Sequence, residues 1–307
     1  MSLKKLHRIY FGFDGNPDPY MGYLKTWQEQ LPGYEIIHWN ADNLPMNNCR
    51  FSQEMLRFRD HAFLSDYYRW WVLREHGGIY LDADIEMVDG IGFNKIVEEL
   101  EVSDQFDAFI GIDNKEGGWY TGHSVASKKG SDYAHFMCEI YESLGAISVW
   151  RRKVFYFMSP QLSALYFGYN GYHFDGMGST PGLTTPIVEL RVKIYPQEYF
   201  SPMTPSSHEG KAGFTINAFT VNTMLCHHFS CSWHDADSPY LAVRGTTPQR
   251  NVLLRDLVQA GMHAPLAPPG PIHRLARRGW RILPEQVRTR VRRSAPYLLA
   301  RLRSAIS

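Results

Sequence analysis

The sequence predicts an α/β fold on an open sheet, from three observations. Apolar strand-like runs (Leu6–Phe13, Tyr34–Trp39, Ile79–Leu81, Asp107–Ile112) alternate with segments of helical periodicity. Pro and Gly punctuate the joins at Pro32-Gly33 and Gly77-Gly78. At 307 residues and 44% apolar, the chain is long enough to bury a large core without disulfide or metal staples.

Leu6–Phe13 reads as the first strand, closing in loop residues Gly12, Asp14, Gly15, Asn16 and Pro17. Pro19–Gln30 can form a helix before Pro32-Gly33, and Tyr34–Trp39 reads as the second strand. Strand, helix and strand at this spacing predict parallel pairing. Ser52–Arg59 and His61–His76 are helical by periodicity. In the second, Leu64, Tyr67, Tyr68, Trp71 and Val72 recur at three and four residues, and Gly77-Gly78 provides the stop. The strand Ile79-Tyr80-Leu81 then runs directly into Asp82-Ala83-Asp84. Asp107–Ile112 reads as another strand and Asp132–Ser143 as another helix, while the second half suggests short strands and long loops. Pro265, Pro268, Pro269 and Pro271 make a stiff linker. The expected organisation is a body over 1–262, a linker over 263–271 and a tail over 272–307.

The formal net charge of +1 is a sum over unlike parts. Residues 272–307 hold ten Arg and one acid, Glu285, a net of +9; residues 1–271 hold 22 basic and 30 acidic side chains, a net of −8. From Pro284 onward the tail patterns as a basic amphipathic helix, with Val287, Val291 and Ala295 on one side and Arg288, Arg290, Arg292 and Arg293 elsewhere. Such a helix suits an anionic membrane surface. No nucleic-acid motif accompanies it, so nucleic acid is not an expected partner. The N-terminus lacks the apolar run of a secretory signal, no stretch has the length of a membrane span, and four Cys (Cys49, Cys138, Cys226, Cys231) make no disulfide framework. The expectation is a cytoplasmic protein, peripheral on the inner face of the membrane.

Asp82 and Asp84 end a strand, where open α/β sheets bind ligands. Two carboxylates there form a hard-oxygen site for Mg²⁺ or Mn²⁺ bridging to a phosphate. Other metal motifs fail on spacing. A calcium loop starting at Asp82 would need Gly and Glu where Met87 and Phe93 stand, and a phosphatase motif would need Thr or Val in place of Glu86. The Cys226-His227-His228-x-x-Cys231 cluster has zinc-type residues but poor tetrahedral spacing.

The segment Ser65-Asp66-Tyr67-Tyr68-Arg69-Trp70, followed by Gly77-Gly78-Ile79-Tyr80-Leu81-Asp82-Ala83-Asp84, resembles the DXD-containing sugar-binding region of family-32 glycosyltransferases and, more distantly, the clostridial toxin glucosyltransferases. His7–Gly12, Tyr195–Pro202 and His227–Trp233 resemble further segments of that family, so the likeness spans roughly 6–235. It implies a GT-A, Rossmann-like fold and transfer of a hexose from a nucleotide diphosphate sugar, a UDP-sugar foremost, with retention. It implies Asp82, Asp84 and His227 as ligands of Mn²⁺ or Mg²⁺, and Asp66 and Arg69 as partners of the donor sugar. Ile9, Tyr10, Tyr80, Ser232 and Trp233 would complete the donor site, Tyr10 by stacking on the base. The implied acceptor is a glycan; with the basic tail, the expectation is a lipid-linked oligosaccharide in bacterial capsule or O-antigen assembly. Two segments depart from the family pattern, Thr121-Gly122-His123 and Met158-Ser159-Pro160, and are expected to face the acceptor or the reacting sugar. The residues name no nucleophile or base. A metal-dependent nucleotide-sugar hydrolase and a non-catalytic carbohydrate-binding protein stay open as alternatives.

Overall fold

The computed structural model describes residues 2–15, 17–112, 120–144, 159, 162–163, 166–167, 183–202, 219–228 and 230. The linker and tail, and with them the expected boundary near 262, lie outside the described residues.

The elements are β1 (Lys5–Ile9), α1 (Met21–Gln30), β2 (Glu35–Trp39), α2 (Arg50–Phe58), α3 (His61–His76), β3 (Gly78–Leu81), β4 (Ile85–Met87), α4 (Gly90–Val102), β5 (Ala108–Ile112), β6 (Tyr120–Ser127), α5 (Asp132–Leu144), β7 (Ile187–Glu189), β8 (Val192–Tyr195) and β9 (Leu225–His227). Seven strands form one sheet in the order β2-β1-β3-β6-β5-β8-β7, and β4 pairs with β9 in a separate ribbon. The α/β class is as predicted.

The first strand–helix–strand unit pairs in parallel as its spacing predicts, but the sheet as a whole is mixed. β1 runs parallel to β2 and β3, and β5 to β8, but β6 is antiparallel to both β3 and β5 and β7 is antiparallel to β8. Only residues 113–119 separate β5 from β6. A parallel crossover needs about a dozen residues, so the chain must turn back on itself.

Apolar side chains fill both faces of the sheet. Leu64, Trp70, Tyr133 and Tyr141 pack with Ile110 and Val125 on the side of α2, α3 and α5. Leu24, Trp27, Phe93 and Leu100 pack with Leu6, Ile79 and Phe109 on the side of α1 and α4. Phe93 and Phe109 are fully buried, and such side chains contribute roughly 1.5–3 kcal/mol each. Side chains supply the helix starts: Cys49 and Ser52 form a capping box on α2, while Asp60 caps α3 and Asp89 caps α4. Gly77 ends α3 at φ 64°, and a Cβ there would stand 2.7 Å from the Lys129 amide nitrogen. Only glycine fits that close approach. No helix among the described residues is long and apolar enough to cross a membrane.

His7, buried in β1, ties the sheet edge to α3. Trp39 Nε1–H donates to His7 Nδ1 at 2.9 Å, so the ring's proton sits on Nε2, 2.8 Å from the Gly77 carbonyl. Burial holds its pKa down at about 4 against the usual 6.5, despite the Gly77 bond. As the pH falls, the unfolded chain takes up this proton first. The stability due to neutral His7 is therefore complete above about pH 6.5 and is lost progressively towards pH 4, a share of about 3 kcal/mol. Urea unfolding of wild type and His7→Gln at pH 7 and 4.5 measures it: the variant is expected to be weaker at pH 7 with a shallower pH slope. Equal slopes would refute the assignment.

Candidate active site

The site lies where β3 ends, and three parts of the chain converge on it. β3 delivers Asp82, whose amide donates to the His123 carbonyl of β6 at 2.8 Å, and a turn then leads to Asp84 and β4. In the β4–β9 ribbon Ile85 pairs with His227, which sets the imidazole beside Asp84. α3 contributes Asp66 and Arg69, one helical turn apart.

α1 holds the ribbon in place through side chains. Trp27 Nε1–H donates to the Ile85 carbonyl at 2.7 Å and Gln30 Nε2 to the Met87 carbonyl at 2.6 Å, while Thr26 Oγ1 accepts from the Met87 amide at 2.9 Å. The free edge of β4 is thereby satisfied by a helix in place of another strand.

Ligand atoms of Asp82, Asp84 and His227 all lie within 4.8 Å of one another. His227 Nε2 stands 3.4 Å from Asp84 Oδ1, and Asp84 Oδ2 accepts from the Ser230 amide at 2.8 Å. Burial opposes ionisation of Asp84, but His227 and the Ser230 amide outweigh it and hold the carboxyl well below the usual carboxylate range. Two carboxylates and an imidazole converging at this spacing fit a Mn²⁺ or Mg²⁺ ion. Cys226 is buried next to His227 but is not part of the cluster.

The second half of the site is a buried ion-pair network. Arg69 Nη2 reaches Asp66 Oδ1 at 2.9 Å and Asp82 Oδ1 at 3.4 Å, and Nε donates to the Ser65 carbonyl at 3.2 Å. The guanidinium lies over the Tyr80 ring, 4.9 Å from its centroid, and Tyr80 donates its hydroxyl hydrogen to Asp82 Oδ1 at 2.5 Å. Asp82 thus belongs both to the metal cluster and to the Arg69 network. Burial pushes Asp66 up to about 6, with Arg69 opposing. For Arg69, burial disfavours the charge, but Asp82, Tyr80 and Asp66 more than compensate and keep it protonated.

Gly122 and Ser159 line this network. A Cβ on Gly122 would stand 2.5 Å from Arg69 Nη1 and 2.7 Å from Ser159 Cβ. The Ser159 amide donates to Asp66 Oδ2 at 3.3 Å, and Ser159 Oγ accepts from Trp70 Nε1 at 2.8 Å. The two departing segments were expected to face the acceptor or the reacting sugar. Thr121, His123 and Ser159 are buried; Ser159 bonds to Asp66 and Trp70 and His123 lies against His227, while Met158 and Pro160 lie outside the described residues. Strand β6 is buried along its whole length, and small polar residues fit where no face is open to water.

The other expected donor-site residues are less uniform. Ile9 is buried in the core. Tyr10 is half-buried at the end of β1, its hydroxyl donating to the Pro17 carbonyl at 3.0 Å. Tyr80 is buried beneath Arg69. Ser232 and Trp233 lie outside the described residues, as does Cys231. Periodicity did not mark Tyr23, which stacks on His228 at 4.4 Å between ring centroids, or the 2.8 Å pair of His228 with Glu86. The alternation Asp82, Asp84, Glu86 was the available signal for the latter.

Residues 17–103 match the model of a family described as a glycosyltransferase sugar-binding region containing the DXD motif. Comparison with curated proteins gives no match. Among solved structures, the chain is similar to the PaToxG glycosyltransferase, at 15% identity and a TM-score of 0.34 over 53% of this chain and 68% of that one. It is also similar to a glycosyltransferase involved in the glycosylation of the major capsid of PBCV-1, at 12% identity and a TM-score of 0.36 over 82% and 98%. The family match covers Asp66, Arg69, Tyr80, Asp82 and Asp84 but not Ile9, Tyr10 or His227. Over that span the chain is similar to the glycosyltransferase sugar-binding region that contains the DXD motif, in line with the sequence resemblance.

Proposed function

We propose that this protein is a divalent-metal-dependent glycosyltransferase that moves a hexose from a nucleotide diphosphate sugar, a UDP-sugar foremost, to a glycan acceptor with retention. The observation that carries this reading is the convergence of Asp82, Asp84 and His227 within 4.8 Å, joined through Asp82 to the Arg69–Asp66 pair. Asp82, Asp84 and His227 would hold the ion, which would supply charge neutralisation for the departing diphosphate. Asp66 and Arg69 provide an acceptor and donors for the sugar hydroxyls, and the buried network fixes their geometry beforehand. Tyr10 offers a ring to the base, and the segment carrying Ser232 and Trp233 follows His227 closely enough in sequence to cover the diphosphate.

For the acceptor we infer a lipid-linked oligosaccharide, as in capsule or O-antigen assembly, with the protein on the inner face of the cytoplasmic membrane. The support is sequence charge alone, ten Arg against one acid over 272–307 beside a body of net −8.

A thermal-shift screen of UDP- and GDP-sugars with Mn²⁺ or with EDTA tests the donor reading, because a ligand that binds only the folded state raises the melting temperature. A rise confined to one base class and dependent on Mn²⁺ is expected. No shift with any donor, or equal shifts in EDTA, would overturn it. If acceptor glycan leaves the rate of sugar release to water unchanged, the hydrolase reading replaces transfer.

A further inference from the structure

His123 takes no part in donor binding or metal ligation as described above, yet it is buried against the metal cluster. Its ring centroid lies 4.2 Å from that of His227, with 35° between the planes. Its Nε2 lies 2.7 Å from Ser201 Oγ and its Nδ1 2.8 Å from Ser124 Oγ. Hydroxyls thus pin the ring from two sides, and Ser201 comes from the C-terminal end of the short helix Gln197–Phe200 after β8, far away in sequence. The same residue's carbonyl accepts the Asp82 amide at 2.8 Å. His123 therefore touches two of the three cluster members at once: Asp82 through backbone and His227 through its tilted ring.

An imidazole ligand is useful to a metal only if its ring plane is fixed, and supporting residues that fix it commonly change metal affinity by about 10–100-fold. His227 ends the short β9 strand (Leu225–His227). Strand pairing alone does not set its ring rotation. The His123 ring stands against the imidazole at 4.2 Å between centroids, and in this arrangement His227 Nε2 lies 3.4 Å from Asp84 Oδ1.

We propose that His123 is a positioning residue for the divalent site: its ring, held by Ser201 and Ser124, sets the His227 imidazole toward Asp84. This rests on the reading of Asp82, Asp84 and His227 as metal ligands. An aromatic replacement keeps a ring but neither hydrogen bond, so it should retain part of the effect, and a branched aliphatic one should lose it.

The test is Mn²⁺ binding to the full chain, followed by the loss of free-ion EPR signal without any sugar donor. Wild type is expected to bind, His123→Leu to bind at least about tenfold more weakly, and His123→Phe, which keeps a ring but loses both pins, to fall between them. Ser201→Ala, which loses one pin and keeps the ring, is expected to bind more weakly than wild type but more tightly than His123→Phe. Thermal melts select the variants that fold; if His123→Leu does not, the comparison of Ser201→Ala with wild type decides. Wild-type affinity in His123→Leu, or in Ser201→Ala where Leu does not fold, would overturn the proposal. If wild type itself takes up no Mn²⁺, the metal reading fails and the positioning role fails with it. Binding in wild type that is unchanged in the variants removes the positioning role alone.

Discussion

Asp84→Asn is expected to fold as wild type does and to lose divalent-dependent sugar transfer by about 10³-fold or more. The side chain is nearly isosteric, and the Ser230 amide can still donate to its oxygen in place of Asp84 Oδ2. The negative charge is lost from a cluster whose ligand atoms lie within 4.8 Å. Charge stabilisation by a bound metal is worth several kcal/mol at the transition state, and about 1.4 kcal/mol is a factor of ten in rate. The environment of Asp84 makes the loss severe, because His227 and the Ser230 amide favour its ionised form over the whole physiological range. Radiolabelled-sugar transfer at saturating Mn²⁺, with unfolding curves of both proteins, measures this. Undiminished turnover in the folded variant would remove Asp84 from the mechanism.

Arg69→Met is expected to act first on stability. Arg69 is buried, and its guanidinium bridges Asp66 and Asp82 while packing on Tyr80. Removing one partner from a buried ion pair leaves carboxylates without compensation, at a cost of about 3–5 kcal/mol. Asp66, already up at about 6 through burial, rises further once Arg69 no longer opposes, so more of it is neutral at pH 7. Asp66→Asn in the Arg69→Met background should recover part of the loss, and the double-mutant cycle gives the coupling. Arg69→Lys is not a safe substitute, since an ammonium lacks the fork that serves both Asp66 and the Ser65 carbonyl. Urea denaturation at pH 7 reads the effect. A loss below about 1 kcal/mol would mean that the network is solvated and adds little.

Much of the first 112 residues was legible because local rules coincide there. Periodicity and the Gly77 stop placed α3 at His61–His76, its observed span, and the first two strands and their helix agree within a few residues at each end. α4 was not read, although Asp89 caps it, because its Gly-Ile-Gly start weakens the helical pattern. β6 was missed for a different reason. Its eight residues are all buried, so no alternation marks a wet face, and Thr, Gly, His and Ser there resemble a loop. The antiparallel course of β6 follows from its short connection to β5, a constraint that strand-by-strand periodicity does not carry.

The sequence by itself determined the chemistry of the strand end: Asp82 and Asp84 after an apolar strand, with Asp66 and Arg69 one helical turn apart upstream. Those relations are local, fixed by strand and helix spacing. Only the tertiary structure decided that His227, more than 140 residues later, stands beside Asp84, since that contact is made by β9 pairing with β4. It also decided that Gly122 and Ser159 lie against Arg69 and Asp66 and that His123 lies against His227, because β6 runs through the middle of the sheet and brings its residues to the end of β3. Residue types can suggest a ligand, but the packing of distant strands sets which ligands meet.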